Sequence, residues 1–108
     1  MEYFMKIHHF IGLTAAFLLA GSALADLVVR DDSGRDVHLK GPARRIVTLA
    51  PHSAESLYAA GAGAYLVGTV DYSDYPPEAK KVPRIGAYSR VDLEAIAALK
   101  PDLVIAWQ

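Results

Sequence analysis

The sequence predicts an α/β lobe built on a parallel sheet and preceded by a β-hairpin. Three observations carry this. Apolar runs of strand length alternate with short helical segments from Arg44 to Trp107, and such alternation implies parallel pairing through right-handed crossovers. Gly, Pro or Asp punctuates the boundaries between these segments. Near residue 30, two β-prone runs flank a cluster of turn formers.

In chain order, the first 25 residues stand apart. Lys6, with His8 and His9, makes a weakly positive start, an apolar run extends from Phe10 to Ala20, and Ala23-Leu24-Ala25 supplies a small-x-small pattern. Together they read as a secretory signal peptide cleaved after Ala25. The apolar run is about half of what spans a bilayer. The expected organisation is a signal peptide at 1–25, a hairpin lead-in at 26–41 and an α/β lobe at 42–108.

Leu27-Val28-Val29 and Val37-His38-Leu39, around Asp31-Asp32-Ser33-Gly34, form the hairpin signal. Ile46 to Leu49 is a buried-strand run. Pro51 is expected to end it, Ser53 to cap a helix from about Ala54 to Ala60, and Gly61 to stop that helix. Leu66 to Val70 is the next strand, and Asp71 to Pro77 a loop stiffened by Pro76-Pro77. Pro83-Arg84-Ile85 leads through Gly86 into a second loop around Tyr88. Asp92 is a good N-cap for a helix to about Leu99, with Pro101 beyond it. Leu103 to Ala106 is the last strand. On the last helix Leu93, Ile96, Ala97 and Leu99 are expected to share the core face, leaving Glu94 outward beside Ala95 and Ala98.

Composition removes several function classes. The chain has no Cys, which rules out thiol chemistry and Cys-ligated metals. The formal net charge is −1, and removing the leader takes away one charge of each sign. That balance argues against a nucleic-acid binder, which would carry a basic patch. Gly61-Ala62-Gly63 follows a helix rather than a strand, so it reads as a turn and not a phosphate loop. No H-x-x-x-H pattern is present, and Ser53 and Ser73 lack the G-x-S-x-G turn. With no nucleophile–base pair, binding without turnover is the expectation: no enzyme, no cofactor, no metal site.

The rings remain. His52 follows the first parallel strand, Tyr72 and Tyr75 the second, and Trp107 the last, with Tyr88 on the intervening loop. In open α/β sheets ligands bind outside the carboxyl ends of the strands. As a set these groups suit a large, partly apolar, planar ligand, although any one aromatic alone can serve packing instead. His52 admits three readings: a catalytic or metal-binding residue, which the lack of converging ligands disfavours, a polar contact at the lip of a ligand site, or a loop histidine facing water. Glu94 also admits two, a first-turn carboxylate stabilised by the helix dipole or a docking handle.

Arg45-Ile-Val-Thr-Leu-Ala-Pro51, Gly68-Thr-Val-Asp-Tyr-Ser-Asp-Tyr-Pro-Pro77 and Leu93-Glu-Ala-Ile-Ala-Ala-Leu-Lys-Pro-Asp-Leu-Val-Ile-Ala-Trp107 closely resemble the periplasmic solute-binding components of bacterial ABC importers. Within the iron–siderophore, haem and cobalamin group, the Tyr-Ser-Asp-Tyr-Pro-Pro loop and the Ala-Trp pair resemble the cobalamin branch. The resemblance covers residues 44–108. It implies the three-layer, parallel-sheet N-terminal lobe of a class III periplasmic binding protein, here truncated, with the ligand held in a cleft against a second lobe.

Position by position, the resemblance puts ligand contacts at Pro51, His52, Tyr72, Tyr88 and Trp107, and a permease-docking carboxylate at Glu94. It implies cobalamin (vitamin B12) as a transported ligand rather than a cofactor, the importer's membrane permease as partner, and the periplasm as location. At Tyr88 the cobalamin pattern often has Trp. The alternatives are haem or a ferric siderophore as ligand, or a non-functional fragment.

Overall fold

The structure is a computed structural model and describes residues 26–108. The signal-peptide reading of residues 1–25 lies outside the described residues. The chain divides into two compact units between Pro42 and Ala43.

The first unit is the expected hairpin. Strands β1 (Leu27–Arg30) and β2 (Asp36–Leu39) pair antiparallel, with Leu27 opposite Leu39 and Arg30 opposite Asp36. The Asp31 carboxylate organises the turn by accepting the Ser33 and Arg35 N–H groups, each at 2.9 Å, and the Ser33 hydroxyl at 2.7 Å. The Ser33 hydroxyl is the largest cause holding the Asp31 carboxyl below its ordinary value. Gly34 takes a positive φ of 84°, which a side chain would resist.

The second unit holds β3 (Ile46–Thr48), α1 (Pro51–Ala59), β4 (Leu66–Gly68), β5 (Gly86–Ala87), β6 (Arg90–Val91), α2 (Leu93–Ala98) and β7 (Leu103–Ile105). The sheet order is β4-β3-β7, and both pairings are parallel, as the alternation of apolar runs predicted. A fourth line extends the sheet beyond β4. The Thr69 N–H donates to the Pro83 carbonyl at 3.0 Å, Ile85 N–H to Thr69 at 2.8 Å, and Asp71 N–H to Gly86 at 2.9 Å, with Thr69 and Arg84 bridged in parallel.

All three residues of β3 are buried. Successive strand side chains face opposite sides, so both faces of the central strand are covered. Val47 joins Val70 and Ile85 in the core, against Ala95, Ile96 and Leu99 from the α2 segment. Burying a side chain such as Val47 contributes about 1.5–3 kcal/mol. α1 packs on β3 with Ala54 fully buried. Gly68 admits α2 closely, since a Cβ there would lie 2.5 Å from Leu99 Cδ1.

Three expectations are corrected. α1 starts at Pro51, not Ala54, because the fixed φ and missing N–H of proline suit a first helical turn. Ala50 is the N-cap without a side-chain cap, and the Ser53 and Ala54 N–H groups reach its carbonyl at 3.2 and 3.3 Å. Ser53 is therefore buried inside the first turn, and Pro51 and His52 stand on a helix rather than a loop. The stop at Gly61 is as expected: at φ 84° it donates to the Tyr58 carbonyl at 3.0 Å while Ala62 donates to Leu57 at 3.0 Å, a Schellman ending.

The core face of α2 is also different. Asp92 caps this helix as predicted, accepting from the Glu94 and Ala95 N–H groups at 3.0 and 3.1 Å. Yet Leu93 is 74% exposed, Ala97 is exposed as well, and Ala95, Ile96 and Leu99 point inward. A helix of 6 residues is too short for its apolar pattern to fix the phase, and Glu94 keeps its outward place. Finally, residues 86–91 are an antiparallel hairpin of β5 and β6 rather than an open loop. Gly86 permits it with φ 115°.

The entry to β3 is tied to the turn before β7. The Asp102 carboxylate accepts the backbone N–H groups of Arg44 and Arg45, each at 2.9 Å, and the Arg45 guanidinium donates to the Leu99 carbonyl at 2.6 and 2.9 Å. These N–H groups, that of Arg44 foremost, hold the Asp102 carboxyl below its ordinary value.

Candidate ligand-binding site

Four parallel lines run side by side in the order Arg84–Ile85, β4, β3, β7. A ring-bearing residue follows each. Tyr88 tips the β5–β6 turn after the first line, Tyr72 follows β4 and Val70, His52 opens α1 after β3, and Trp107 follows β7. Neighbouring strands lie ~4.8 Å apart, so the four lines span roughly 15 Å at their carboxyl ends. That is the crevice side on which such sheets place ligands.

The rings are presented rather than packed away. Tyr72 is 81% exposed, Tyr88 71% and Trp107 73%. His52 is exposed and Pro51 half-buried at the first turn of α1. Two of the rings touch: the His52 and Trp107 centroids lie 4.8 Å apart at an interplanar angle of 86°, an edge-to-face pair. Tyr72 and Tyr88 stand free of any ring pairing among the described residues. Glu94 is exposed on the first turn of α2, with exposed Ala97 and Ala98 one turn on, so its carboxylate stands clear.

A groove of about 350 Å³ runs along the flank of α1 and the end of β7, lined mainly by Ser56, Leu57, Ala60, Ile105 and the His52–Trp107 pair. It shares only that pair with the row of rings. The row itself is an open wall.

A buried hydroxyl chain and Arg84, whose partners the sequence did not indicate, tie the loop that carries Tyr72 to the sheet. Thr48 Oγ1 lies 2.8 Å from Thr69 Oγ1, which lies 2.9 Å from Ser73 Oγ, and all three residues are buried. Arg84 donates to the Ser73 carbonyl and the Asp74 carboxylate, both at 3.1 Å, and to the Ala79 carbonyl at 3.2 Å. The signal in the sequence was a threonine one residue before the end of each of the first two parallel runs, Thr48 and Thr69, which does not reveal its partner. Among the described residues, no group of three or more His, Asp or Glu side chains converges on a possible metal site.

A family model described as periplasmic binding protein matches residues 46–108. The chain belongs to the periplasmic binding protein family. The vitamin B12-binding protein of Vibrio cholerae is 52% identical over 66 residues, covering 61% of this chain and 24% of that relative. The crystal structure of the periplasmic vitamin B12 binding protein BtuF of Vibrio cholerae superposes with a TM-score of 0.59, covering 61% of this chain and 26% of its own. The periplasmic heme-binding protein RhuT from Roseiflexus sp. RS-1 has a TM-score of 0.56 at 41% identity, over 60% of this chain and 25% of its own. The chain thus spans about a quarter of the length of the curated relatives it matches. As a periplasmic binding protein lobe, its parallel sheet and covering helices are those of the class III architecture.

Proposed function

We propose that this lobe forms one wall of a cobalamin site in the solute-binding component of an ABC importer. The row of ring-bearing groups at the ends of four parallel lines carries the reading. The 52% identity to the Vibrio cholerae vitamin B12-binding protein supports cobalamin as the ligand. Tyr72, Tyr88 and Trp107 stack on or border the corrin plane, and Pro51 and His52 meet it from the first turn of α1. No bond in the ligand is made or broken, and the ligand is cargo rather than cofactor. Capture takes place in the periplasm. Glu94 then docks on a basic patch of the membrane permease, where an exposed charge chiefly sets orientation and encounter rate.

One wall leaves a bound corrinoid largely solvated, so the lobe alone binds weakly. The test replaces the matched quarter of the Vibrio cholerae protein by residues 44–108 and titrates cyanocobalamin. Micromolar or tighter binding is expected. A chimera that melts cooperatively yet ignores cyanocobalamin would sink the cobalamin reading.

A second reading has two observations in its favour. The exposed phenol of Tyr88 is a potential iron ligand, and a haem-binding neighbour is 41% identical. Haem would then give a charge-transfer band that Tyr88→Phe abolishes.

A further inference from the structure

We propose that Thr69, Ser73 and Arg84 are positioning residues that fix Tyr72 for the ligand before it arrives. This rests on the reading of Tyr72 as part of the ligand wall. Tyr72 has a φ of 67°, a left-handed conformation that residues with a side chain seldom adopt. The residue is 81% exposed, so packing does not hold it there. The restraint comes from its neighbours in the chain.

On one side, Asp71 donates its N–H to the Gly86 carbonyl at 2.9 Å. On the other, Ser73 is 1% exposed, and its hydroxyl lies 2.9 Å from Thr69 Oγ1. Thr69 in turn meets Thr48 at 2.8 Å, so the hydroxyl chain reaches the central strand. Arg84 grips the next peptide from the fourth line through the Ser73 carbonyl and the Asp74 carboxylate, both at 3.1 Å. A strained backbone persists where its surroundings over-determine it. A backbone held at both ends has no freedom of its own to lose when the ring stacks on a ligand, so only the side-chain rotamers remain to be ordered, and the binding is preorganised to that extent. The chemistry such a ring selects is a flat, partly apolar surface.

The test uses the 108-residue chain, backbone NMR relaxation and cyanocobalamin. Thr69→Val removes the central hydroxyl at similar size, Ser73→Ala removes the terminal one, and Thr69→Ser restores a hydroxyl. In the unmodified chain Tyr72 should be as rigid as β3, with an order parameter of about 0.85. Thr69→Val and Ser73→Ala should drop it below about 0.6 while α1 and β3 stay rigid, and Thr69→Ser should keep it high. Cyanocobalamin shifts at Trp107 should then need several-fold more ligand in the first two variants.

If both variants melt earlier but Tyr72 stays rigid, the network is merely structural and the proposal is overturned. A mobile Tyr72 in the unmodified chain overturns it too. Should Thr69→Val fail to fold, Ser73→Ala decides alone. Because the lobe alone binds weakly, the absence of a cyanocobalamin shift in the unmodified chain leaves the cobalamin reading to the chimera, and the order parameters alone judge the positioning.

Discussion

The His52 imidazole meets the Trp107 indole edge to face, with centroids 4.8 Å apart and planes at 86°. The contact joins the first turn of α1 to the end of β7 and so fixes one end of the row of rings. It exists because Pro51 starts a helix immediately after β3, which points the next side chain across toward the end of the neighbouring strand.

Trp107 is the sole tryptophan, so indole fluorescence reports on this pair alone. His52→Ala should shift its emission to the red and increase acrylamide quenching, while Tyr72→Ala should leave both unchanged. Edge-to-face pairs contribute about 0.5–1.5 kcal/mol, and an exposed pair belongs at the lower end. Unchanged emission in His52→Ala would mean the pair does not persist in solution.

Gly86 bears the hairpin that presents Tyr88. A Cβ there would lie 2.6 Å from the Arg90 carbonyl oxygen, and the backbone already sits at φ 115°. Gly86→Ala should therefore cost roughly 2 kcal/mol or more, lowering the melting temperature on the order of 10 °C for a domain this size. Gly34→Ala is the comparison: its φ is 84°, but nothing lies within 4 Å of the added carbon. It should disturb the first hairpin alone. Equal, small effects of the two on the melting of the lobe would refute the account of Gly86.

The lead-in hairpin, the three parallel strands, the glycine stop at Gly61 and the Asp92 cap were legible because each is a local rule acting within a few residues, whereas the β5–β6 pair was not. Pro51 was not, since a proline both ends strands and opens helices, and nothing nearby decides between them. Leu93 was misplaced because a helix of 6 residues has fewer than two turns, too few for an amphipathic pattern to fix its phase even with the cap known. The fourth line, Pro83 to Gly86, has a charged residue at its centre and forms only through backbone pairing with Thr69. The ring residues follow from type and position, whereas the bonds tying the Tyr72 loop to the sheet act across the fold: Thr48 and Thr69 are 21 residues apart.

Glu94 offers a separable test of docking. Glu94→Gln should leave cyanocobalamin affinity of the chimera unchanged. It should slow association with the permease several-fold at low salt, and the difference should vanish as salt rises and screens the charge. Surface plasmon resonance across a salt series measures this. An equal loss at every salt concentration would point to packing rather than charge.

Asp102 gives the lobe an acid-sensitive joint. Its carboxylate accepts the Arg44 and Arg45 N–H groups, and these bonds depress its folded pKa below the ordinary 3.8. A carboxyl depressed in the folded state is stabilising above its unfolded pKa, and the contribution disappears as pH falls through the folded one. Melting temperature should therefore hold from neutrality to about pH 5 and then fall as the carboxyl is protonated. Asp102→Asn removes the charge-assisted part of these bonds, so it should melt lower at neutral pH and show a shallower acid limb. Asp31 is depressed as well, but within the hairpin unit and chiefly by the Ser33 hydroxyl. Asp31→Asn should leave the melting of the lobe, followed through Trp107, with its full acid limb. If Asp102→Asn keeps that full limb too, the β3–β7 joint is not where acid acts.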